Sequence, residues 1–475
     1  MLIWFVIIYL LVSIGIGLYA ATRVHTAKDY VVAGQHLPLY IVTATVFATW
    51  FGSETVLGIS ATFVQEGLGG IVEDPFGASM CLILVGAFFA AKLYKLNLLT
   101  IGDYYRQRYN PTIEKLTSLA IIASYLGWVS AQIVALGLVF SFVTQGAISH
   151  HEGMVIGAAV VLTYTLFGGM WSVALTDAFQ MTIIVVGMLY LAWLMSGMAG
   201  GVEVVVSHAA QADKLTFWPK LETRDVLAFV GAAVTMMLGS IPQQDVFQRV
   251  MSAKNEKTAV RGAIIGGSLY FVFAFIPLFL AYSATLIDPN MVSSLIEEDA
   301  QLILPTLIMN HAPVFAQVVF FGALLSAIMS TASGTLLAPS VTFTKNILKG
   351  FIGHQSDRHF LWTMRLVVVC FTLAVTLFAL NSNASIYEMV GNAYKVTLVV
   401  AFVPLVFGLY WKRANNQGAL FAITAGLSSW LLLEIFNPEG LWPPQLVGLL
   451  MSTAGMLIGS KLPSLTRHRS VKHTA

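Results

Sequence analysis

Two neighbouring hydroxyl side chains, Ser330 and Thr331, lie in the middle of an apolar run from about residue 313 to residue 341. Together with Ala327 they are spaced i, i+3 and i+4, which places them on one face of a helix. Hydroxyl and carbonyl oxygens are the ligands that hard cations prefer. The pattern alone does not distinguish a cation site from a structural role, because serine and threonine in membrane helices often bond their own backbone or join neighbouring helices.

Apolar residues dominate the chain and define its broad class. Hydrophobic residues make up 57% of the 475 positions and charged residues 10%, against about 25% charged residues in soluble domains. Apolar runs of about twenty residues, each long enough to cross a bilayer, predict about thirteen transmembrane helices. They lie near residues 2–21, 38–65, 75–95, 115–146, 153–167, 173–198, 226–250, 261–287, 313–342, 361–380, 386–410, 417–436 and 442–460. The sequence predicts an all-α membrane protein with residues 1–475 forming one transmembrane domain in a lipid bilayer.

Basic residues are distributed unevenly between alternate loops. If the N-terminus lies outside, the outer loops hold only Lys214, Lys220 and Arg224, and the other loop cations, Arg249 among them, lie inside. Cytoplasmic loops carry such an excess. We therefore expect the N-terminus outside and the C-terminus in the cytoplasm, in the cell (inner) membrane. A net charge of +2 that is spread over loops predicts no binding to nucleic acid.

Two of the predicted spans are interrupted near the middle of the membrane. The second contains Trp-Phe-Gly-Ser-Glu-Thr at residues 50–55, and the seventh contains Gly-Ser-Ile-Pro-Gln-Gln-Asp at residues 239–245. The interruptions are five spans apart, so spans two to six (38–198) and seven to eleven (226–410) would form inverted repeats. Paired interruptions of this kind mark the binding site of a transporter, although kinks in ordinary packing have the same composition.

The stretch Gly-Gly-Met-Trp-Ser-Val-Ala-Leu-Thr-Asp-Ala-Phe-Gln at residues 168–180 resembles the signature of the sodium/solute symporter family, nearest to its choline-carrier branch. Further similarity is found at residues 248–249, 327–331 and 411–415. The resemblance implies the leucine-transporter fold, with one helix before the repeats and two after them. It also implies a sodium ion between the second and ninth spans. Its ligands would be the carbonyls of Ala48, Phe51 and Ala327 and the hydroxyls of Ser330 and Thr331.

The resemblance gives two interpretations of Asp177, the carboxylate of the signature. It is either a relay or, with Ser330 and Ser333, part of a second sodium site that some members have. Gly334 stands where such members supply a further hydroxyl, which favours one sodium ion. A cap or helix-dipole role for the Asp177 carboxylate is the structural alternative.

We expect the solute to bind between the two interruptions. Trp50 and Trp128 with Glu54 would form an aromatic, anionic box suited to a quaternary ammonium group. Gln243 stands near where choline carriers are expected to have tryptophan, which argues against choline. Lys395, inside a span, would pair either a substrate carboxylate or a buried acid such as Glu54 or Asp177. The full candidate set is Trp50, Glu54, Thr55, Tyr125, Trp128, Gln132, Gln243, Gln244, Asn392 and Lys395.

Together with the interrupted spans, the family resemblance implies a sodium-coupled secondary active symporter that imports a small organic solute by alternating access. The solute would be choline, betaine, an amino acid or a carboxylate, and the protein a monomer or a weak homo-oligomer. A proton-coupled or sodium-independent carrier of the same fold, or a sensor without net transport, are the alternatives. An enzyme is not expected, because the ten histidines are scattered and none has ligand-spaced partners.

Overall fold

A computed structural model describes residues 2–353 and 356–463 of the chain. Regular structure within these ranges is helical, apart from one isolated bridge between Leu37 and Ala253. The helices are α1 Leu2–Ala21, α2 Ala27–Val32, α3 Leu39–Trp50, α4 Ile59–Glu66, α5 Ala78–Leu84, α6 Ala90–Lys95, α7 Ile101–Arg108, α8 Pro111–Val143, α9 His150–Met198, α10 Val202–Gln211, α11 Thr223–Gly239, α12 Gln244–Ser252, α13 Glu256–Ile287, α14 Pro289–Glu298, α15 Ile303–His311, α16 Val314–Thr342, α17 Lys349–Ile352, α18 Asp357–Leu380, α19 Ile386–Thr397, α20 Val403–Tyr410, α21 Asn416–Phe436 and α22 Pro444–Lys461. The predicted all-α class is confirmed.

The predicted number of transmembrane helices is not confirmed. Across residues 2–353 and 356–463, nine helices are long and apolar enough to cross a membrane, or ten if the bent pair α11 and α12 forms one span. Part of the difference from the predicted count of thirteen arises in α9, a single helix of 49 residues that covers the fifth and sixth predicted spans. A straight helix of that length would extend about 70 Å, more than twice the hydrocarbon core. It loses helical geometry at Gly169, where φ is 51°.

Both predicted interruptions are present. In the second span, α3 ends at Trp50, Phe51 has non-helical angles (φ −88°, ψ 72°), and a π-helical turn at Glu54–Gly58 leads into α4. In the seventh span, α11 and α12 are separated by residues 240–243 and bent by 45°. The backbone between the paired helices is thereby freed to bond with side chains or ligands. The division into repeats at 38–198 and 226–410 stays a prediction.

Helix α16 lies in the centre of the protein, and its residues from Phe320 to Thr342 are all buried. It packs against α3, α8 and α9. Because buried polar groups need partners, the hydroxyls of this helix must bond within the protein or hold a ligand. By contrast, α1 exposes large apolar side chains such as Trp4 and Leu11, as a helix facing lipid would.

Candidate functional site

Four of the five oxygens predicted to bind sodium meet where the end of α3 faces α16. The Ser330 hydroxyl donates to the Ala48 carbonyl at 2.5 Å and also lies 3.0 Å from the Ala327 carbonyl. The Thr331 hydroxyl lies 3.5 Å from the same Ala48 oxygen. Phe51, the fifth predicted ligand, is buried and forms the first residue of the interruption. We call these five residues the cation site.

The donor set of the cation site fits an alkali ion. All of its predicted ligand atoms are uncharged carbonyl or hydroxyl oxygens, as hard monovalent cations accept. Gly52 lets the neighbouring groups approach, because a Cβ at this position would lie 2.6 Å from the Thr331 hydroxyl and 2.4 Å from Glu54 Oε2. The carboxylate of Glu54 therefore borders the cation site without being one of its predicted ligands. Sodium would act here as a co-substrate.

Four buried aromatic rings form a cluster beside the cation site. The ring centroids of Trp50 and Trp128 are 5.6 Å apart in an edge-to-face arrangement, and Tyr125 stacks on Trp128 at 6.0 Å. Tyr394 of α19 lies 6.2 Å from Trp50 and 5.6 Å from Trp128. Tyr394 was not predicted, although its neighbour Lys395 was singled out. We call these four rings the aromatic cluster.

Two carboxylates are bonded to the edges of the aromatic cluster. Glu54 accepts from Trp128 Nε1 at 3.0 Å and from Gln132 Nε2 at 2.7 Å. Asp245 accepts from the Tyr125 hydroxyl at 2.5 Å and from Trp50 Nε1 at 3.3 Å. In the described ranges, neither carboxylate has a basic side chain within 4.0 Å. The site is therefore aromatic and acidic, which suits a positively charged group.

Asp245 was missed as a site residue, although it closes the Gly-Pro interruption of the seventh span. Thr55 and Gln243 do lie close to the aromatic cluster. The Thr55 hydroxyl donates to the Trp50 carbonyl at 3.2 Å and contacts the Tyr270 hydroxyl at 3.1 Å, and Tyr270 in turn donates to Asp74. The Gln243 amide donates to the Ser124 hydroxyl at 2.9 Å. This side chain therefore bonds α8, and the aromatic cluster is formed by the four rings without it.

Three of the predicted solute-binding residues lie apart from the aromatic cluster. Gln244 accepts from the backbone N–H of Ile101 at 2.8 Å, so it supports the start of α7. Asn392 is exposed. Lys395 donates to Glu434 Oε1 at 3.2 Å, and the partners considered for it, Glu54 and Asp177, bond elsewhere.

Replacing Lys395 with glutamine is expected to lower the stability of the protein by about 1 kcal/mol without weakening solute binding. The side chains of Lys395 and Glu434 are 19% and 35% exposed, so the ion pair contributes modestly. Thermal unfolding in detergent would measure the loss, and the double variant Lys395→Gln/Glu434→Gln should recover part of it because no charge is left unpaired. Loss of solute binding with unchanged stability would instead assign Lys395 to the solute site.

The candidate residues of a second cation site, Asp177, Ser330 and Ser333, are all buried, and that site stays a prediction. Asp177 Oδ2 accepts from the Thr45 hydroxyl and lies 3.4 Å from the Thr49 hydroxyl, and its Oδ1 has no partner in the described ranges. The Ser333 hydroxyl donates to the backbone carbonyl of Ser330 at 3.0 Å. Beside Gly334 lies the guanidinium group of Arg249.

Arg249 does not lie in a cytoplasmic loop, as its sequence position suggested. It belongs to α12 and is 1% exposed. The predicted seventh span, 226–250, reached this residue, but its charge was counted with the loop that follows, whereas the bent α12 continues inside the protein to Ser252. Assigning basic residues to inner and outer loops cannot reveal a buried guanidinium next to the predicted binding residues.

A membrane protein with two interrupted helices around a buried polar centre belongs to the class of solute transporters. A model of the sodium:solute symporter family matches residues 30–426. The chain belongs to this family, so the resemblance of its signature is confirmed.

Related proteins and solved structures agree with this assignment. High affinity choline transporter 1 from Homo sapiens is 28% identical over 474 residues, covering 92% of this chain and 77% of the human protein. The sodium/pantothenate symporter from Escherichia coli is 26% identical over 467 residues and covers 95% of both chains. A substrate-bound, outward-open Na⁺-coupled sialic acid symporter superposes with a TM-score of 0.84 over 98% of both chains, at 21% identity. These relatives are transporters and not enzymes, and the predicted leucine-transporter fold is confirmed.

Proposed function

We propose that this protein is a sodium-coupled symporter that imports a small organic cation of the choline type. The observation that carries the proposal is the meeting of the Ala48 carbonyl with the Ser330 hydroxyl, at 2.5 Å, across an interrupted helix. Four of the five predicted sodium ligands gather at this contact, and the membership in the sodium:solute symporter family supports sodium as the coupling ion.

The aromatic cluster and its carboxylates support a cation as the solute. Quaternary ammonium groups bind over the faces of tryptophan and tyrosine, and Glu54 and Asp245 supply negative charge at the ring edges. The relatives that are named choline transporters favour the same class. Because Gln243 differs from the tryptophan expected in choline carriers, the solute is proposed as an organic cation of this class and not as choline itself. A solute carboxylate, as in pantothenate or proline, would have to approach these two acids, and Lys395 is already paired with Glu434.

In the proposed cycle, sodium enters from the extracellular side and binds where α3 faces α16. It holds the interrupted span against α16 and thereby completes the solute site, after which the protein opens to the cytoplasm. One sodium ion per cycle is supported by the absence of a serine at position 334. The N-terminus is proposed to lie outside and the C-terminus in the cytoplasm of the cell membrane.

The driving force is sufficient for concentrative uptake. One charge that crosses 100 mV yields about 2.3 kcal/mol, and a tenfold sodium gradient adds about 1.4 kcal/mol. Together they support roughly 500-fold accumulation of the solute. The charge of a cationic solute itself would add to this driving force when the cell interior is negative.

Uptake into proteoliposomes tests the proposal. Choline, betaine, proline and a short carboxylate would be supplied in turn, with and without an inward sodium gradient, and with a proton gradient in place of sodium. We expect uptake of choline or a close organic cation that requires the sodium gradient and is accompanied by inward current. Uptake driven equally well by protons would indicate the proton-coupled alternative. Binding without uptake would indicate a sensor, and sodium-driven uptake of the carboxylate alone would contradict the organic-cation class.

A further inference from the structure

The buried guanidinium of Arg249 is held by neutral groups. Its Nη2 donates to the Thr49 hydroxyl at 2.7 Å, and its Nη1 donates to the backbone carbonyl of Asp245 at 3.1 Å. No carboxylate lies within 4.0 Å of it in the part of the chain that the structure describes. Arginine stays charged at every physiological pH, and the buried carboxylates of Asp177 and Asp245 interact with it electrostatically from beyond 4.0 Å. Hydrogen bonds to neutral groups, and not a contact ion pair, therefore fix the position of the guanidinium.

The two acceptors of Arg249 connect it to both binding sites. Thr49 lies between Ala48, whose carbonyl belongs to the cation site, and Trp50, which belongs to the aromatic cluster. Asp245 carries the carboxylate that bonds Trp50 and Tyr125. One planar guanidinium thus bonds the two interrupted spans to each other, at the residues adjoining both sites.

The same guanidinium abuts the helix that supplies the hydroxyls of the cation site. A Cβ added to Gly334 would lie 2.2 Å from Arg249 Nη2. Gly334 is one helical turn beyond Ser330 on the same face of α16. Any shift of α3 against α16 when sodium binds must therefore move the Thr49–Arg249–Gly334 contact, and with it the backbone of Asp245.

We propose that Arg249 is the positioning residue that couples sodium binding to solute binding. The inference rests on the proposed sodium symport and adds the contacts through which binding at the cation site changes binding at the aromatic cluster. Coupling between two sites is reciprocal, so sodium raises the affinity for solute by the same factor by which solute raises the affinity for sodium. Typical couplings of this kind change affinity about 5- to 150-fold.

Choline binding to the purified full-length chain at low and at high sodium measures the coupling. In the native protein, high sodium is expected to raise choline affinity within that 5- to 150-fold range. In Arg249→Gln the ratio should fall towards one. Gly334→Ala should have the same effect, because its methyl group displaces the guanidinium while keeping the charge. Arg249→Lys retains the charge but lacks the planar guanidinium, so its ratio of choline affinities at high and low sodium should lie between the ratios of the native protein and Arg249→Gln.

Arg108→Gln provides the matched control. Arg108 also donates to backbone carbonyls, those of Gly408 at 2.9 Å and Ala414 at 2.8 Å, but it lies on α7, away from both sites. Its loss should lower thermal stability and leave the sodium effect on choline affinity unchanged. A loss of coupling in this control as well would show that general destabilisation is responsible and would overturn the proposal.

Two further results decide the remaining cases. If Arg249→Gln fails to fold, native coupling in both Gly334→Ala and Arg249→Lys would overturn the inference. A cysteine placed at Gln243 reports the effect of sodium in the absence of solute. Sodium should change the rate at which this thiol is labelled in the native background and should not change it in the Gly334→Ala background. An equal change in both backgrounds would contradict the inference. Sodium-independent choline binding by the native chain would instead reject the proposed symport, so the two failures are distinguishable.

Discussion

Replacing Ser330 with alanine is expected to raise the sodium concentration needed for half-maximal uptake about ten- to a hundredfold. The reason is that an oxygen bonded to a charged group contributes about 1.5–3 kcal/mol, and the Ser330 hydroxyl is in direct contact with the Ala48 carbonyl of the interrupted helix. Thr331→Ala should act in the same direction with a smaller effect, because its hydroxyl lies 3.5 Å from that carbonyl. Initial rates of uptake against sodium concentration would measure both.

The sodium titration has a matched control on the same helix. Ser340 is also buried in α16, and its hydroxyl donates only within the helix, to the Leu336 carbonyl at 2.8 Å. Ser340→Ala should leave the sodium requirement near its native value. The assignment of the cation site would be abandoned if Ser330→Ala and Thr331→Ala both kept the native sodium dependence while transporting normally.

Replacing Glu54 with glutamine is expected to weaken the binding of choline at least about a hundredfold. The carboxylate is 1% exposed and is bonded to neutral donors, so a cation that binds beside it would stabilise its ionised form through a weakly screened interaction. Glutamine keeps the size of the side chain and one acceptor oxygen but removes the charge. Equilibrium binding of choline at saturating sodium would measure the change.

Glu114→Gln is the corresponding control for the loss of a buried charge. The Glu114 carboxylate is also buried, but it accepts from Asn346 at 2.9 Å and pairs with Arg106 at 3.5 Å, away from the aromatic cluster. Its replacement should affect stability and spare choline affinity. If Glu54→Gln bound choline as tightly as the native protein, the solute would have to be recognised without its positive charge.

The α16 part of the predicted cation site was the part most accessible from the sequence, because it depends on spacing within one continuous helix, whereas Ala48 and Phe51 were added by the family resemblance. Ala327, Ser330 and Thr331 keep the helical phase that their numbers imply, and all three belong to a stretch of α16 that is buried throughout. The interrupted spans were also visible, because glycine or proline stands beside polar residues at mid-membrane in both spans and the two interruptions are five spans apart.

The solute site was less predictable because the helical periodicity that relates residue number to side-chain direction is lost at each interruption. Helix α12 restarts after a 45° bend, so the side chains of Gln243, Gln244 and Asp245 point in directions that α11 does not determine. Gln244 therefore supports α7 while Asp245 bonds the aromatic cluster. Arg249 was assigned to the wrong environment for the same reason, since the sequence does not show that a bent helix continues inside the protein.

The bridge from Thr55 through Tyr270 to Asp74 has a mechanical consequence. Tyr270 belongs to α13, Thr55 to the π-helical turn before α4, and Asp74 to the turn at Val72–Gly77. Breaking hydrogen bonds in so dry an environment is unfavourable. We therefore expect the part of the second span that follows Phe51 and Gly52 to move together with α13 and the turn at Val72–Gly77 whenever that span bends at its interruption.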